Sequence, residues 1–186
     1  KLYSISHLIN SGKITNKQNT LILCNQVENG ELDDIANHLK NNHKDFSVEI
    51  IHGKIKASER SRIINSMGDR EGVIIVATYS TMSTGVNIKK LHNCILASSL
   101  KAFETIIQTM GRILRTHDTK ELAVLYDLVD ELSVKMRTGN IWRSYLNKHW
   151  IERETYYVEK EFPIETLVVD KEFDLINTVN ELSKSN

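Results

Sequence analysis

The chain has 186 residues, 40% hydrophobic and 26% charged, the composition of a soluble globular protein with one core of ordinary size and room for an appended element. Lysine plus arginine equals aspartate plus glutamate at 24 each, so the zero net charge argues against a generally basic protein but leaves room for a local basic groove. No apolar run approaches the roughly 20 residues that span a membrane, no signal peptide opens the chain, and the missing initiator methionine points to a piece of a longer protein.

Residues 1–13 place Leu2, Ile5, Leu8 and Ile9 on one helical stripe, with Gly12 as the expected stop. Thr20–Cys24 reads as a short apolar strand ending at Asn25. A helix is expected over Glu31–Lys40, with Leu32, Ile35, Ala36 and Leu39 facing the core and three acids in its first turn, where the helix dipole favours them. Phe46–Ile51 reads as a second strand that ends in His52-Gly53, and Ser58–Met67 as a helix capped by Ser58. Gly72–Thr78 is apolar throughout and rich in β-branched residues, so it reads as a strand buried on both faces. Cys24 and Cys94 lie in apolar runs and read as buried free thiols of a reducing compartment. No Cys/His spacing suggests a metal.

Asn93–Arg115 opens with another apolar strand, Asn93–Ala97. It continues into a helix-like segment carrying Gln108, Gly111, Arg112 and Arg115, which spells Q-x-x-G-R-x-x-R. At ordinary residue frequencies a chain of this length matches four such fixed positions by chance roughly once in a thousand. On a helix, these positions put one amide and two guanidiniums on a common face. Two permanent cations held side by side suit a polyanion such as a nucleotide triphosphate, because the planar guanidinium matches phosphate oxygens in a fork. Taken alone, the helix reads equally well as a solvated basic face with Ile106, Ile107, Met110 and Leu114 turned to the core.

Leu122–Tyr126 is a fifth expected strand, ending in Asp127. Strands alternate with helices from residue 20 to 127, which predicts an α/β fold: a parallel sheet with helices on both faces and ligands at the carboxyl ends of the strands. Asn140–Lys160 reads as one helix, with Trp142, Leu146 and Trp150 at four-residue spacing. Its plain reading is a helix packed back on the sheet; its sharper reading is an aromatic surface for stacked bases or a partner domain. Pro163 is expected to break it. Ile164–Val169 is read as an edge strand and Phe173–Leu182 as a last helix. The expected division is therefore 1–132 for the sheet domain with its N-terminal helix, and 133–186 for a mostly helical, aromatic extension packed on it.

The order of motifs resembles the second (C-terminal) RecA-like domain of a superfamily 2 helicase over roughly residues 20–130. Thr20–Asn25 looks like motif IV. Ile51-His52-Gly53, followed by Glu59-Arg60, looks like the block between motifs IV and V. Val76–Ile88 looks like motif V and Gln108–Arg115 like motif VI. The phrases IIVATYSTMSTGVNIKKLHNCILA, IIQTMGRILRTH and LYDLVDE are most like phage recombination helicases of the UvsW type.

That resemblance implies a motor in which ATP and Mg²⁺ are bound mainly by an N-terminal RecA-like domain of the same protein, absent from this sequence. The present domain would supply Arg115 as arginine finger with Arg112 beside it, stabilising charge on the transferred phosphoryl group. Gln108 would orient the nucleotide or couple the two domains. Gly85 and Asn87 match the G-x-D/N of motif V near the ribose, although Thr84 stands where many relatives have arginine and Asn87 where many have aspartate. Thr78, Asn25 and Gly53, at strand ends, would touch the phosphodiester backbone of DNA, branched or single-stranded, with RNA as the alternative. Lys54, Lys56, Arg60 and Arg62 form a basic cluster nearby; Lys54 and Arg60 are its expected nucleic-acid contacts, and a solvated face is the plainer reading. The implied location is the cytoplasm, that of the host if the protein is phage-encoded.

No G-x-x-x-x-G-K-S/T occurs, and Gly12-Lys13 and Gly53-Lys54 are both followed by isoleucine. Asp130-Glu131-Leu132-Ser133 follows motif VI with no P-loop before it and is not a DExx box. The chain by itself is expected not to hydrolyse ATP. Three functions compete: the C-terminal motor domain of an ATP-dependent DNA helicase acting on recombination or replication intermediates; an RNA helicase or restriction-type translocase domain; and a non-catalytic nucleic-acid-binding module. Gln108 where DEAD-box RNA helicases commonly have histidine favours the first over the second. The paired Arg112 and Arg115 favour it over the third.

Overall fold

The computed structural model describes residues 1–25, 30–82, 88, 90–99, 123–130, 133–135, 141–143 and 145–169. The expectations placed on Gly85, Asn87, Gln108, Arg112, Arg115 and the helix Phe173–Leu182 lie outside the described residues.

Five strands form one parallel sheet: β1 (Thr20–Cys24), β2 (Ser47–Ile51), β3 (Val73–Thr78), β4 (Asn93–Leu96) and β5 (Val124–Asp127). Their order is β2-β3-β1-β4-β5, and every neighbouring pair runs parallel. All positions of β1, β3 and β4 are buried, as a parallel sheet covered on both faces requires. Alternate residues divide between two cores. Leu21, Leu23, Ile75, Ala77, Cys94 and Leu96 point one way; Ile22, Cys24, Ile74, Val76, Ile95 and Ala97 point the other. Both cysteines are free and buried.

Helices α1 (Leu2–Asn10) and α2 (Glu31–Asn42) cover the second core through Ile5, Leu8, Leu32, Ile35 and Leu39. The first core is covered by α3 (Ala57–Asp69) through Ile63, Ile64 and Met67, and by the short α4 (Tyr79–Met82). Each such Leu or Ile contributes about 1.5–3 kcal/mol on full burial. The expected cap of α3 is corrected. Lys56 holds the N-cap position without a side-chain hydrogen bond, and Ser58 lies inside the first turn, because the Arg60 N–H already closes that turn on the Lys56 carbonyl at 3.0 Å.

Asn19, 1% exposed, locks three segments together. Its Nδ2 donates to the carbonyls of Met67 (2.8 Å) and Arg70 (2.9 Å) at the end of α3, and its Oδ1 accepts from the Val73 N–H (3.0 Å) at the start of β3. Carbonyls orphaned at a helix end thereby find donors inside the protein. Gly72, between α3 and β3, has φ +67°, and a Cβ there would lie 2.6 Å from the Asn16 carbonyl oxygen, so only glycine fits.

The C-terminal part departs from the expected single helix over Asn140–Lys160. Ile141–Arg143 is a strand, β7, paired antiparallel with β6 (Ser133–Lys135), and the helix α5 occupies only Tyr145–Glu159. The hairpin satisfies its backbone by cross-strand pairing, so Trp142 does not belong to the helical stripe of Leu146 and Trp150. Nor does Pro163 end α5. A Schellman turn does so first: Glu161 sits at φ 56°, its N–H donates to the Val158 carbonyl, and the Phe162 N–H donates to the Tyr157 carbonyl. The Tyr157 and Phe162 rings, 6.3 Å apart, supply the apolar contact that accompanies this motif. Ile164–Val169 pairs with no strand among the described residues. Ile164, Leu167 and Val168 are all exposed, so the segment has no buried face to fix a register.

Tyr157 enters the first core, with Trp150 and Tyr156 packed against it, so α5 lies on the same face of the sheet as α3. Among the described residues, no helix is long and apolar enough to cross a membrane, and no group of three or more His, Cys, Asp or Glu side chains could hold a metal ion.

Candidate functional site

The strand order locates the site. From β1 the chain moves to β2 on one side; from β4 it moves to β5 on the other. Connections that leave adjacent parallel strands in opposite directions open a crevice at the carboxyl ends of those strands. Here the adjacent pair is β1 and β4, and the residues at its mouth are Asn25 and Ser98-Ser99.

A chain of polar contacts joins these ends. The Asn25 N–H donates to Ser98 Oγ (3.3 Å), and Asn25 Nδ2 donates to the Ser99 carbonyl (2.8 Å). Ser98 Oγ donates to Glu31 Oε2 (2.7 Å), while Lys1 Nζ binds Glu31 Oε1 (2.6 Å). Burial raises the Glu31 carboxyl's pKa, but the Lys1 ammonium and the Ser98 hydroxyl together outweigh it and hold the pKa below the usual carboxylate range. Tyr79 Oη donates to the Ser98 carbonyl at 2.7 Å and so ties α4 to the same turn.

On the other flank, Asp127 at the end of β5 receives both arms of Arg153 from α5, Nε to Oδ2 at 2.7 Å and Nη2 to Oδ1 at 3.1 Å. Arg153 is buried and the Asp127 carboxylate nearly so, at 3% and 10% side-chain exposure. Tyr157 Oη donates to Asp127 Oδ2 (3.0 Å), and the Arg153 guanidinium lies 5.8 Å from the Trp150 ring centre. A buried carboxylate against a guanidinium is tolerated only with this completeness of hydrogen bonding. Arg153 Nη1 also reaches Ser99 Oγ (3.4 Å), which is hydrogen-bonded to His149 Nδ1 (2.9 Å).

Thr78 and Gly53 stand at the carboxyl ends of β3 and β2 beside this crevice. The Thr78 hydroxyl is turned inward to Thr81 Oγ1 (2.7 Å) and Ser80 Oγ (3.2 Å), and the residue is 3% exposed. It therefore holds the turn into α4. Gly53 is exposed, and a Cβ built there meets nothing within 4 Å. Lys54 and Lys56 are exposed beside it. Arg62 is paired with Glu59 one helical turn away at 2.6 Å, which removes it from the outward-facing positive charge. Arg60 is half-buried, and its Nε is the buried side-chain nitrogen that lacks a hydrogen-bond partner among the described residues.

Sequence reading reached Asn25, Gly53 and Thr78 as strand-end residues. It missed Ser98, Ser99, His149 and Arg153, took Glu31 only as a first-turn acid and Asp127 only as a strand terminus. A pair of serines directly after an apolar strand was the one signal available.

Comparison with known proteins agrees with this geometry. The helicase conserved C-terminal domain family matches residues 1–117. The ATP-dependent DNA helicase uvsW of Enterobacteria phage T4 is 31% identical over 150 residues, 78% of this chain and 29% of that protein. The crystal structure of T4 UvsW superposes with a TM-score of 0.67 at 29% identity, over 85% of this chain and 32% of that one. The C-terminal domain of Dbp5 from S. cerevisiae shares the fold with a TM-score of 0.58 at 16% identity, covering 100% of this chain and 92% of that one. The chain thus spans about three tenths of the length of the curated relative it matches. A match over residues 1–117, on a five-stranded parallel sheet of RecA-like order, makes this chain a member of the helicase conserved C-terminal domain family: the C-terminal RecA-like domain of a superfamily 2 helicase related to UvsW.

Proposed function

We propose that this domain is the second motor lobe of an ATP-dependent DNA helicase that unwinds or branch-migrates recombination and replication intermediates. The observation that carries the reading is the crevice between β1 and β4, from whose rim, at Ser99, the segment bearing Gln108, Arg112 and Arg115 departs. Arg115, with Arg112 beside it, would reach the terminal phosphate of ATP held with Mg²⁺ by an N-terminal RecA-like lobe, and would stabilise charge on the transferred phosphoryl group. Gln108, Gly85 and Asn87 would complete the nucleotide contacts.

Nucleic acid would run over the exposed surface at Gly53 and Lys54, with the half-buried Arg60 and Asn25 at its margin. Gly53 leaves open space for a phosphate to approach the backbone, and Lys54 supplies charge without sequence readout. Thr78 would act by shaping the adjacent turn.

The test is Arg115→Ala in the full helicase chain. ATP turnover should fall by about a thousandfold or more, with DNA affinity retained. Unchanged turnover refutes the finger assignment and favours a nucleic-acid-binding module.

A further inference from the structure

We infer that the C-terminal helix α5 is a working part of the motor: through Arg153, His149 and Asp127 it holds Ser99, and Ser99 positions the root of the arginine-bearing segment. This rests on the reading that Arg115 serves the phosphoryl group.

Ser99 follows three residues after the end of β4, and it is held from three directions. Its carbonyl accepts from Asn25 Nδ2 at the end of β1. Its hydroxyl meets His149 Nδ1 and Arg153 Nη1, both from α5. Arg153 is held in place, because its other two nitrogens donate to the Asp127 carboxylate, and Tyr157 Oη braces that carboxylate in turn. Helix α5 thus does more than cover apolar surface. It carries a fork whose third nitrogen reaches Ser99, just beyond the end of β4. An arginine finger works only when its guanidinium lies within a fraction of an ångström of the transferring oxygens, and small displacements at a distance cost up to a hundredfold in rate. Ser99 is a positioning residue in this scheme; it touches neither nucleotide nor DNA.

Ser99→Val and Ser99→Thr have the same shape and differ only in the hydroxyl, so they separate positioning from bulk. In the full helicase chain, Ser99→Val should lower the DNA-stimulated kcat for ATP by about tenfold, the size of a lost hydrogen bond to a charged group. The KM for ATP and the DNA affinity should stay close to those of the parent, the melting temperature should fall by only the few degrees that one lost hydrogen bond costs, and Ser99→Thr should recover most of the rate. An unchanged kcat in Ser99→Val overturns the inference, as does a loss that Ser99→Thr shares or that appears as raised KM. Arg115→Ala is the control. If it abolishes turnover while Ser99→Val does not, only the positioning role fails; if Arg115→Ala leaves turnover intact, the motor reading falls and takes this role with it.

Discussion

Asn19→Ala should be among the most damaging single changes in this domain, although Asn19 lies at the amino end of β1, opposite the proposed site. The asparagine amide makes three side-chain hydrogen bonds, two to carbonyls at the end of α3 and one from the Val73 N–H. Each such bond contributes about 1 kcal/mol net, and each backbone group left buried without a partner costs about 1–3 kcal/mol. Partial rescue by entering water reduces the sum, so the expected loss is about 3–4 kcal/mol. With a urea dependence of about 2 kcal/mol per molar, the unfolding midpoint should fall by roughly 1.5–2 M. Asn19→Asp sharpens the test. It keeps the shape and the acceptor for Val73 but turns a carboxylate oxygen toward two carbonyl oxygens, so it should be at least as harmful as alanine. A midpoint shift below about 0.5 M for alanine, or a well-tolerated aspartate, would show that these bonds do not hold α3 to the sheet.

Two further outcomes follow from the same coordinates. Gly72→Ala should cost at least about 2 kcal/mol, since it meets both the left-handed backbone penalty and the Asn16 carbonyl at 2.6 Å, whereas Gly53→Ala should leave stability within about 0.5 kcal/mol and weaken DNA binding several-fold; paired urea melts and DNA titrations read both. His43 is hydrogen-bonded to Ser6 Oγ at 2.9 Å, and burial, with the neighbouring His38, holds its pKa below the ordinary imidazole value. A lowered pKa contributes stability that is present above the unfolded-state pKa and lost as pH falls through the folded one. The urea midpoint should therefore drop less between pH 7.5 and 5.5 in His43→Gln than in the parent, and equal slopes would count against the shift.

The sheet was readable from the residues because each inner strand is a run of β-branched and apolar side chains with no polar interruption. Thr20–Cys24 emerged with the expected bounds, and the other four strands within two residues of theirs. The hairpin of β6 and β7 was not readable. Three-residue strands carry no periodicity, and Trp142 happened to fall in register with Leu146 and Trp150. Ile164–Val169 misled in the opposite sense, since its apolar residues promise a strand only if something covers them. The strand-end site was legible in part. Asn25 and Gly53 stand at predictable places, but the Arg153–Asp127 pair joins residues 26 positions apart through the docking of α5. An arginine flanked by Glu152 and Glu154 in the sequence gives no hint of a partner 26 positions away.

The burial of Cys24 and Cys94 has a practical consequence. Desolvation, with the nearby Glu31 carboxylate adding to it, pushes the Cys24 thiol up to about 12, and burial alone raises Cys94 as well. Neither sulfur forms appreciable thiolate at neutral pH. A maleimide dye should pass both by in the folded domain and attach at a single introduced site such as Lys56→Cys. The dye would then report on the surface beside Gly53 without first replacing Cys24 and Cys94.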